Sequence, residues 1–242
     1  MAAPRLLLDT GLEAGMVADL PPAAAHYLTR VLRLRSGDAV HVFDGRGSTF
    51  KARLASAGRH WQLELQSLHS VEAPYRCRLH LAQSLIKGEK LDFALQKATE
   101  LGVTDIWLLH TERTERRLDA KRLANRLEHW RKVIGAACEQ CGRARLPVLH
   151  EPRPLDEALA ALANSYCLLL APGAPLLEAA LPVADTSVFV GPEGGFSAVE
   201  TAQIQSRCKA QPVGLGPWIL RADTAPVAAL SLIRQRWDWQ AP

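Results

Sequence analysis

Around Pro74 the hydrophobic rhythm of the chain changes, and this change divides it into two parts that fold by different rules. Upstream, between Ala39 and Leu65, apolar and polar residues alternate in Val40-His41-Val42-Phe43, Phe50-Lys51-Ala52-Arg53-Leu54 and Trp61-Gln62-Leu63-Glu64-Leu65. A period of two sends successive side chains to opposite faces, as a half-buried strand requires, and Asp44-Gly45-Arg46-Gly47 and Ala57-Gly58-Arg59 supply turns between the runs. These segments read as antiparallel strands of a small barrel. Ahead of them, Ala23 to Leu32 has helical spacing and carries His26, Tyr27 and Arg30, with Ser36-Gly37-Asp38 as the stop. Val71-Glu72-Ala73-Pro74-Tyr75 reads as the boundary, giving residues 1–72 and 73–242.

Downstream, short apolar runs alternate with longer amphipathic ones. Arg78 to Gln83, Ile106 to Leu109, Cys167 to Leu170 and Val188 to Val190 predict strands. Lys90 to Leu101, Leu123 to Cys138, Ala198 to Ser206 and Ala225 to Arg236 predict helices, the third capped by Ser197 with Glu200 at the capping-box position. This order is that of an α/β domain with a mostly parallel sheet.

The 242 residues suffice for two domains, and a hydrophobic share of 48% fits a folded chain rather than a disordered one. The apolar run Tyr166 to Ala171 is too short to span a bilayer, and Asp9 follows Leu6-Leu7-Leu8 too closely for a signal peptide, so a cytoplasmic location is expected. Five cysteines, an odd number, argue for reduced thiols. Cys138 and Cys141 form a C-x-x-C pair, but no second pair stands at metal spacing; on a helix both thiols are expected on one buried face, and no metal is assigned.

The net charge of +4 is modest but unevenly distributed. Arg30, Arg33 and Arg35 form one basic cluster; Arg113, Arg116, Arg117, Lys121, Arg122 and Arg126 form another, with Arg131, Lys132, Arg143 and Arg145 close behind. Any one cluster is most simply a solvated face. Several together point to a polyanionic partner, and nucleic acid is the natural candidate.

Two glycine-rich loops follow apolar runs. Gly191-Pro192-Glu193-Gly194-Gly195-Phe196-Ser197 lies between a strand and a capped helix, and it matches neither the dinucleotide nor the triphosphate fingerprint. Alone, ordinary turn chemistry explains it as well as ligand binding does. The second loop, Leu215-Gly216-Pro217-Trp218-Ile219-Leu220-Arg221-Ala222-Asp223-Thr224-Ala225, adds glycines to a charged pair and shifts the reading to a backbone-lined pocket.

Together these loops resemble the cofactor-binding loops of the RsmE family, the 16S ribosomal RNA uridine-N3 methyltransferases of the SPOUT superfamily. Three further segments match the same family in order: His26-x-x-x-Arg30-Val31-Leu32-Arg33-Leu34-x-x-Gly37-Asp38; Lys87-Gly88-Glu89-Lys90 running to Gln96-Lys97-Ala98-Thr99-Glu100-Leu101-Gly102-Val103; and Ala136-Ala137-Cys138-Glu139-Gln140-Cys141-Gly142-Arg143-x-Arg145-x-Pro147. The resemblance covers nearly the whole chain. It implies an N-terminal PUA-like β-barrel that grips RNA and a C-terminal α/β SPOUT domain with a deep trefoil knot, a feature periodicity does not show. It also implies S-adenosyl-L-methionine as cofactor, 16S rRNA or the small ribosomal subunit as substrate, methylation at N3 of one uridine, and a homodimer.

Carried over onto this sequence, the resemblance assigns cofactor contacts to Leu170, Ala171 and Gly173, to Gly191, Glu193 and Gly195, and to Leu215, Gly216, Ile219, Leu220 and Thr224. Arg221 is the candidate for stabilising charge on the uracil, Asp223 a base or the partner that orients Arg221, and Glu139 an alternative acid–base group. Salt bridges of purely structural value are the competing reading for all three. Arg5, Arg30, Arg33, Arg113, Arg143 and Arg145 are candidates for RNA phosphates, and Tyr27 for base stacking. The family most often has arginine where this chain has Trp218 and glutamate where it has Asp223. A SPOUT enzyme acting on a 2′-hydroxyl or on tRNA is expected to lack the Ala137 to Gly142 segment, and a non-enzymatic RNA binder has no need of two ligand loops.

Overall fold

The computed structural model describes residues 3–58, 60–114, 119–177 and 181–237, so Arg59, Arg116 and Arg117 lie outside the described residues. The chain forms two compact units. One comprises Met1–Pro74 with Cys138–Leu146, the other Tyr75–Ala137 with Pro147–Pro242. The return of Cys138–Leu146 to the N-terminal unit leaves no periodic signal in the sequence.

In the first unit five strands form one sheet: β1 (Arg5–Leu7), β2 (Val17–Asp19), β3 (Ala39–Phe43), β4 (Ser48–Ala57) and β5 (His60–Val71), in the order β1-β3-β4-β5-β2. β1 runs parallel to β3; the remaining pairs are antiparallel. The alternation works as expected: Val40, Val42, Leu54 and Leu63 are fully or almost fully buried, while Lys51, Arg53 and Glu64 face solvent. The three-residue strands β1 and β2 are too short to show a period. The turn after β3 is held by Asp44, whose Oδ1 accepts from the N–H groups of Arg46, Gly47 and Ser48 at 2.7, 3.0 and 3.1 Å.

Where one helix is expected over Ala23 to Leu32, α1 (Pro22–His26) passes into a π-helical turn, Tyr27–Val31. The Leu32 N–H reaches back five residues to the Tyr27 carbonyl at 2.9 Å, and Arg33 then adopts a positive φ of 58°. The wider turn buries Leu28 in the sheet's core and leaves Tyr27 and Arg30 exposed.

Carboxylates fasten the returning segment. Glu72 Oε2 accepts from the backbone N–H of Ala144 and from that of Arg145 at 3.0 Å, and Arg145 Nε donates to the Glu72 carbonyl at 3.0 Å. The Leu7 N–H donates to Glu139 Oε1 at 2.9 Å, and Phe43, Cys138 and Ala144 pack in a small buried cluster. Cys138 is buried and desolvation pushes its thiol up to about 12; Cys141, expected beside it in the core, is exposed because the helix ends there. All five cysteines are free.

The second unit is built on a six-stranded sheet: β6 (Leu79–Ser84), β7 (Asp105–His110), β8 (Val148–Pro154), β9 (Tyr166–Leu170), β10 (Thr186–Val190) and β11 (Gln211–Val213), in the order β11-β9-β10-β6-β7-β8. Every pair is parallel. The central strands β6 and β10 are buried along their whole length, the apolar Leu79, Leu81, Ala82, Val188, Phe189 and Val190 together with the polar His80, Gln83, Ser84, Thr186 and Ser187. Among the described residues, five helices complete the unit: α2 (Glu89–Glu100), α3 (Ala120–Cys141, whose last turn belongs to the first unit), α4 (Leu155–Leu162), α5 (Ala198–Cys208) and α6 (Thr224–Arg236). α2 packs with α6 and α4 with α5. Leu155, Ala158, Leu159 and Leu162 of α4 join Ile204 of α5 against Leu109, Leu169 and Phe189 of the sheet.

Replacing Glu72 leaves two backbone N–H groups in the returning segment without their acceptor. Hydrogen bonds to a charged group contribute about 1.5–3 kcal/mol, so Glu72→Ala is expected to lower stability by that order in urea denaturation followed by tryptophan fluorescence. An unchanged transition contradicts the role assigned to Glu72.

Candidate functional site

Parallel pairing places the C-terminal ends of β11, β9 and β10 side by side, and the three loops leaving those ends enclose a cavity of about 630 Å³. That size is ordinary for a small-molecule site, and the C-terminal edge of a parallel sheet is where such sites form. After β9 the wall is Leu170, Ala171 and Pro172; after β10 it is Gly191, Pro192, Glu193, Gly195 and Phe196. After β11 it is Leu215, Gly216 and the run Trp218 to Ala222. Lys90 from α2, Thr201 from α5 and Ala225 from α6 complete it. The walls are mainly apolar, with two cations, Lys90 and Arg221, and one carboxylate, Glu193.

The loop after β10 is fixed from both sides. A Cβ at Gly191 would lie 3.0 Å from the Phe196 nitrogen and 3.1 Å from Gly195 Cα, so a side chain there would push the loop backbone away by a few tenths of an ångström. Ser197 caps α5: its Oγ accepts from the Glu200 N–H at 3.2 Å, while Glu200 Oε2 accepts from the Ser197 N–H at 2.8 Å. The other Glu200 oxygen accepts from the Glu112 N–H at 2.7 Å, and Arg113 donates to the Gly194 carbonyl. In the loop after β11, the Gly214 N–H donates to the Pro175 carbonyl at 2.7 Å, and an added Cβ would stand 2.3 Å from the Ala174 oxygen.

Arg221 and Asp223 form a two-point ion pair, with Nη2 2.7 Å from Oδ2 and Nε 3.2 Å from Oδ1. Burial opposes ionisation of Asp223, yet the Arg221 hydrogen bonds and charge, aided by Lys90, outweigh it and hold the carboxyl below its ordinary range. Arg221 keeps 69% of its side chain exposed while Asp223 keeps 8%, so the carboxylate anchors and the guanidinium faces the cavity. Trp218 and Ile219 are 82% and 81% exposed at the rim.

Of the residues assigned to the cofactor from sequence, nine line this cavity: Leu170, Ala171, Gly191, Glu193, Gly195, Leu215, Gly216, Ile219 and Leu220. Gly173 and Thr224 are exposed beyond its lining, and the Thr224 hydroxyl lies 3.4 Å from Asp223 Oδ1. Glu139 belongs to the other unit, where it receives the Leu7 N–H and burial pushes its carboxyl up against that bond and the charge of Arg5. Lys90, Phe196 and Thr201 line the cavity without having been singled out; Lys90 stands in the Lys87-Gly88-Glu89-Lys90 motif, which was its only sequence signal.

The residues assigned to RNA fall into two groups. Tyr27, Arg30 and Arg33 are exposed around the π turn, and Arg113 is exposed on the second unit. Arg5, Arg143 and Arg145 are half-buried: Arg5 Nη2 donates to the Arg143 carbonyl at 3.0 Å, its guanidinium lies 4.8 Å from the Phe43 ring centre, and Arg145 is tied to Glu72. Among the described residues no cluster of side chains is arranged to hold a metal, and no helix is long and apolar enough to cross a membrane.

Comparison with known proteins agrees with this architecture. The family model described as an RNA methyltransferase domain matches residues 73–234, and the RNA methyltransferase PUA domain matches residues 20–60. Ribosomal RNA small subunit methyltransferase E of Synechocystis sp. is 35% identical, the match covering 88% of this chain and 71% of that protein. The protein of the same name from Buchnera aphidicola is 28% identical over 96% of this chain and 95% of its own length. The crystal structure of the Neisseria gonorrhoeae ribosomal RNA small subunit methyltransferase E bound to S-adenosyl methionine has a TM-score of 0.88 and 32% identity, covering 99% of this chain and 100% of that one. Fold and matches define an RNA methyltransferase with a PUA domain. Within that class, the chain belongs to the RsmE family.

A carboxyl held low by its partner contributes stability above its unfolded value, about 4, and loses it as pH falls through the lower folded value. The Arg221–Asp223 pair is therefore expected to stay intact at any pH above about 4. A ¹³C-carboxyl titration by NMR checks this: a midpoint for Asp223 below about 4 is expected, and one above it contradicts the pairing.

Proposed function

We propose that this chain uses S-adenosylmethionine, held in the cavity between the three loops, to methylate N3 of a specific uridine in 16S ribosomal RNA. The observation that carries the reading is the convergence of the three loops at one sheet edge with Arg221 in the wall, in a chain of the RsmE family.

The residues present fit such a cofactor. The cavity volume of about 630 Å³ suits a nucleoside with an amino-acid arm. Leu170, Leu215, Ile219 and Leu220 offer apolar surface for a purine, and the glycine-rich loops bring backbone N–H and C=O groups to its polar edges without intervening Cβ atoms. The Glu193 carboxylate suits an ammonium or sulfonium cation. When bound, S-adenosylmethionine supplies an electrophilic methyl group.

The chain's own task is to align the uracil and favour loss of its N3 proton. As that proton passes to solvent water, negative charge spreads onto the flanking carbonyl oxygens, and the exposed Arg221 guanidinium stabilises it. Asp223, with both oxygens on Arg221 and its carboxyl held low, orients the guanidinium and is a poor proton acceptor. Glu139, engaged by Leu7, takes no part in proton transfer in this reading. Trp218 at the rim offers a face for an RNA base swung out of its helix.

The reading includes two family features: a trefoil knot around the loops after β9 and β11, and a homodimer as the working unit. The bridge between Leu176 and Gly214, with the Gly214 N–H on Pro175, supports the first by holding those two loops together.

Titration calorimetry with S-adenosylmethionine, followed by mass mapping of N3-methyluridine in rRNA from cells with and without the gene, tests the function. Binding and loss of the modification are expected; no heat of binding, or a modification that persists without the gene, overturns it. Gly191→Ala is expected to weaken cofactor binding at least tenfold, about 1.4 kcal/mol, because the new Cβ forces the loop apart; unchanged binding contradicts the assigned loop geometry. Arg221→Lys is expected to lower kcat about 10²-fold, the usual cost of losing one preorganised donor, with cofactor affinity nearly unchanged. Wild-type turnover in that variant contradicts the role of the guanidinium.

A further inference from the structure

We propose that a second, smaller cavity beside the glycine loop binds a phosphodiester of the substrate RNA and so positions the target uridine. The proposal rests on the reading that RNA is the substrate. The cavity measures about 110 Å³, too small for a nucleoside, and Glu193 borders both it and the larger one. A strand that passes Glu193 can therefore place a base in one cavity and a phosphate in the other.

The lining of the small cavity is rich in donors. Lys87, Arg113 and Arg126 bring three cations, and Gly88 opens α2 with no side chain capping its first turn. The Lys90 and Leu91 N–H groups turn back to the Lys87 and Gly88 carbonyls at 3.3 and 3.2 Å, and the dipole at the start of this 12-residue helix favours an anion. Trp130 supplies an independent observation. It lines the cavity at only 3% exposure, and its indole Nε1–H has no hydrogen-bond acceptor. An indole nitrogen only donates, and a buried donor without an acceptor is uncommon enough to require an explanation. A phosphate oxygen is the acceptor that the surrounding charge selects.

The opposing charges are accounted for. Glu193 pairs with Lys90 at 3.4 Å. Asp92 and Glu89, in the first turn of α2, do not line the cavity, and Asp92 holds His129 at 2.7 Å. Arg113 spends one N–H on the Gly194 carbonyl, which fixes its guanidinium at the cavity with further donors available. Arg126 is exposed and makes no ion pair among the described residues, so it is the cation whose removal disturbs least else.

The test uses the full chain and a fluorescein-labelled fragment of 16S rRNA containing the target. Binding is followed by anisotropy across a range of salt, with S-adenosylmethionine affinity measured in parallel by calorimetry. Arg126→Gln is expected to weaken RNA binding about tenfold and to reduce the slope of log Kd against log salt by about 1, the signature of one lost phosphate contact, while cofactor affinity stays at the wild-type value. Trp130→Phe, which removes the N–H and little volume, is expected to raise KM for RNA and leave kcat near wild type. In RNAs carrying one methylphosphonate at successive positions, a single position is expected to weaken the wild type and have no further effect on Arg126→Gln.

Wild-type RNA affinity and salt slope in Arg126→Gln overturn the proposal, as does a loss that falls on cofactor binding instead. If Trp130→Phe fails to fold, Arg126→Gln at an exposed position still decides. A wild-type chain that neither binds the cofactor nor methylates RNA defeats the functional reading itself, and that outcome is distinct from either result.

Discussion

Parallel hydrogen bonding between β9, β10 and β11 is the constraint on which the rest of the second unit depends. Antiparallel neighbours would send their loops to opposite edges. Parallel ones deliver every C-terminal end to the same edge, so Ala171, Gly191 and Gly214 follow three adjacent strands there. The chain then has to be narrow where those loops meet. At Gly214 a side chain would collide with neighbouring backbone at 2.3 Å, and at Gly191 it would press on it at 3.0 Å. At both positions the glycine lets the chain pack closely against its neighbour.

Acidic side chains hold these loops and ends through backbone N–H groups. Glu200 joins the start of α5 to Glu112, Glu72 carries Ala144 and Arg145, and Glu139 receives Leu7. Of these, Glu139 is the carboxylate that the sequence leaves open to a catalytic reading, whereas Glu200 already reads as a capping-box residue. Asp223 differs because its partner is a side chain that lines the cavity, so the pair couples an anchored anion to an accessible cation.

Much of this was legible in the sequence. Long, strongly patterned elements such as β4, α2 and α5 fall within a few residues of their expected positions, because burial and the Ser197–Glu200 capping box leave direct marks on composition. The three-residue strands β1, β2 and β11 escaped notice, being too short for a period; so did β8, whose Pro152 and Pro154 are not strand-like, and α4, with its eight residues. The glycine-rich loops that line the cavity were readable from their composition. The return of the chain was not: nothing local in Glu139 or Arg145 announces that Cys138–Leu146 leaves the methyltransferase unit for the other one. Membership in the RsmE family supplies the chemical context that spacing alone does not.

The central claim is that the loops after β9, β10 and β11 form one cofactor site with Arg221 in its wall. A crystal structure of this chain grown with S-adenosylmethionine tests it most directly. The account predicts density for the whole molecule between Gly191–Phe196 and Leu215–Arg221, with its methyl group directed toward the side on which the Arg221 guanidinium stands. Density at any other place on the chain, or a methyl group turned away from Arg221, would contradict it.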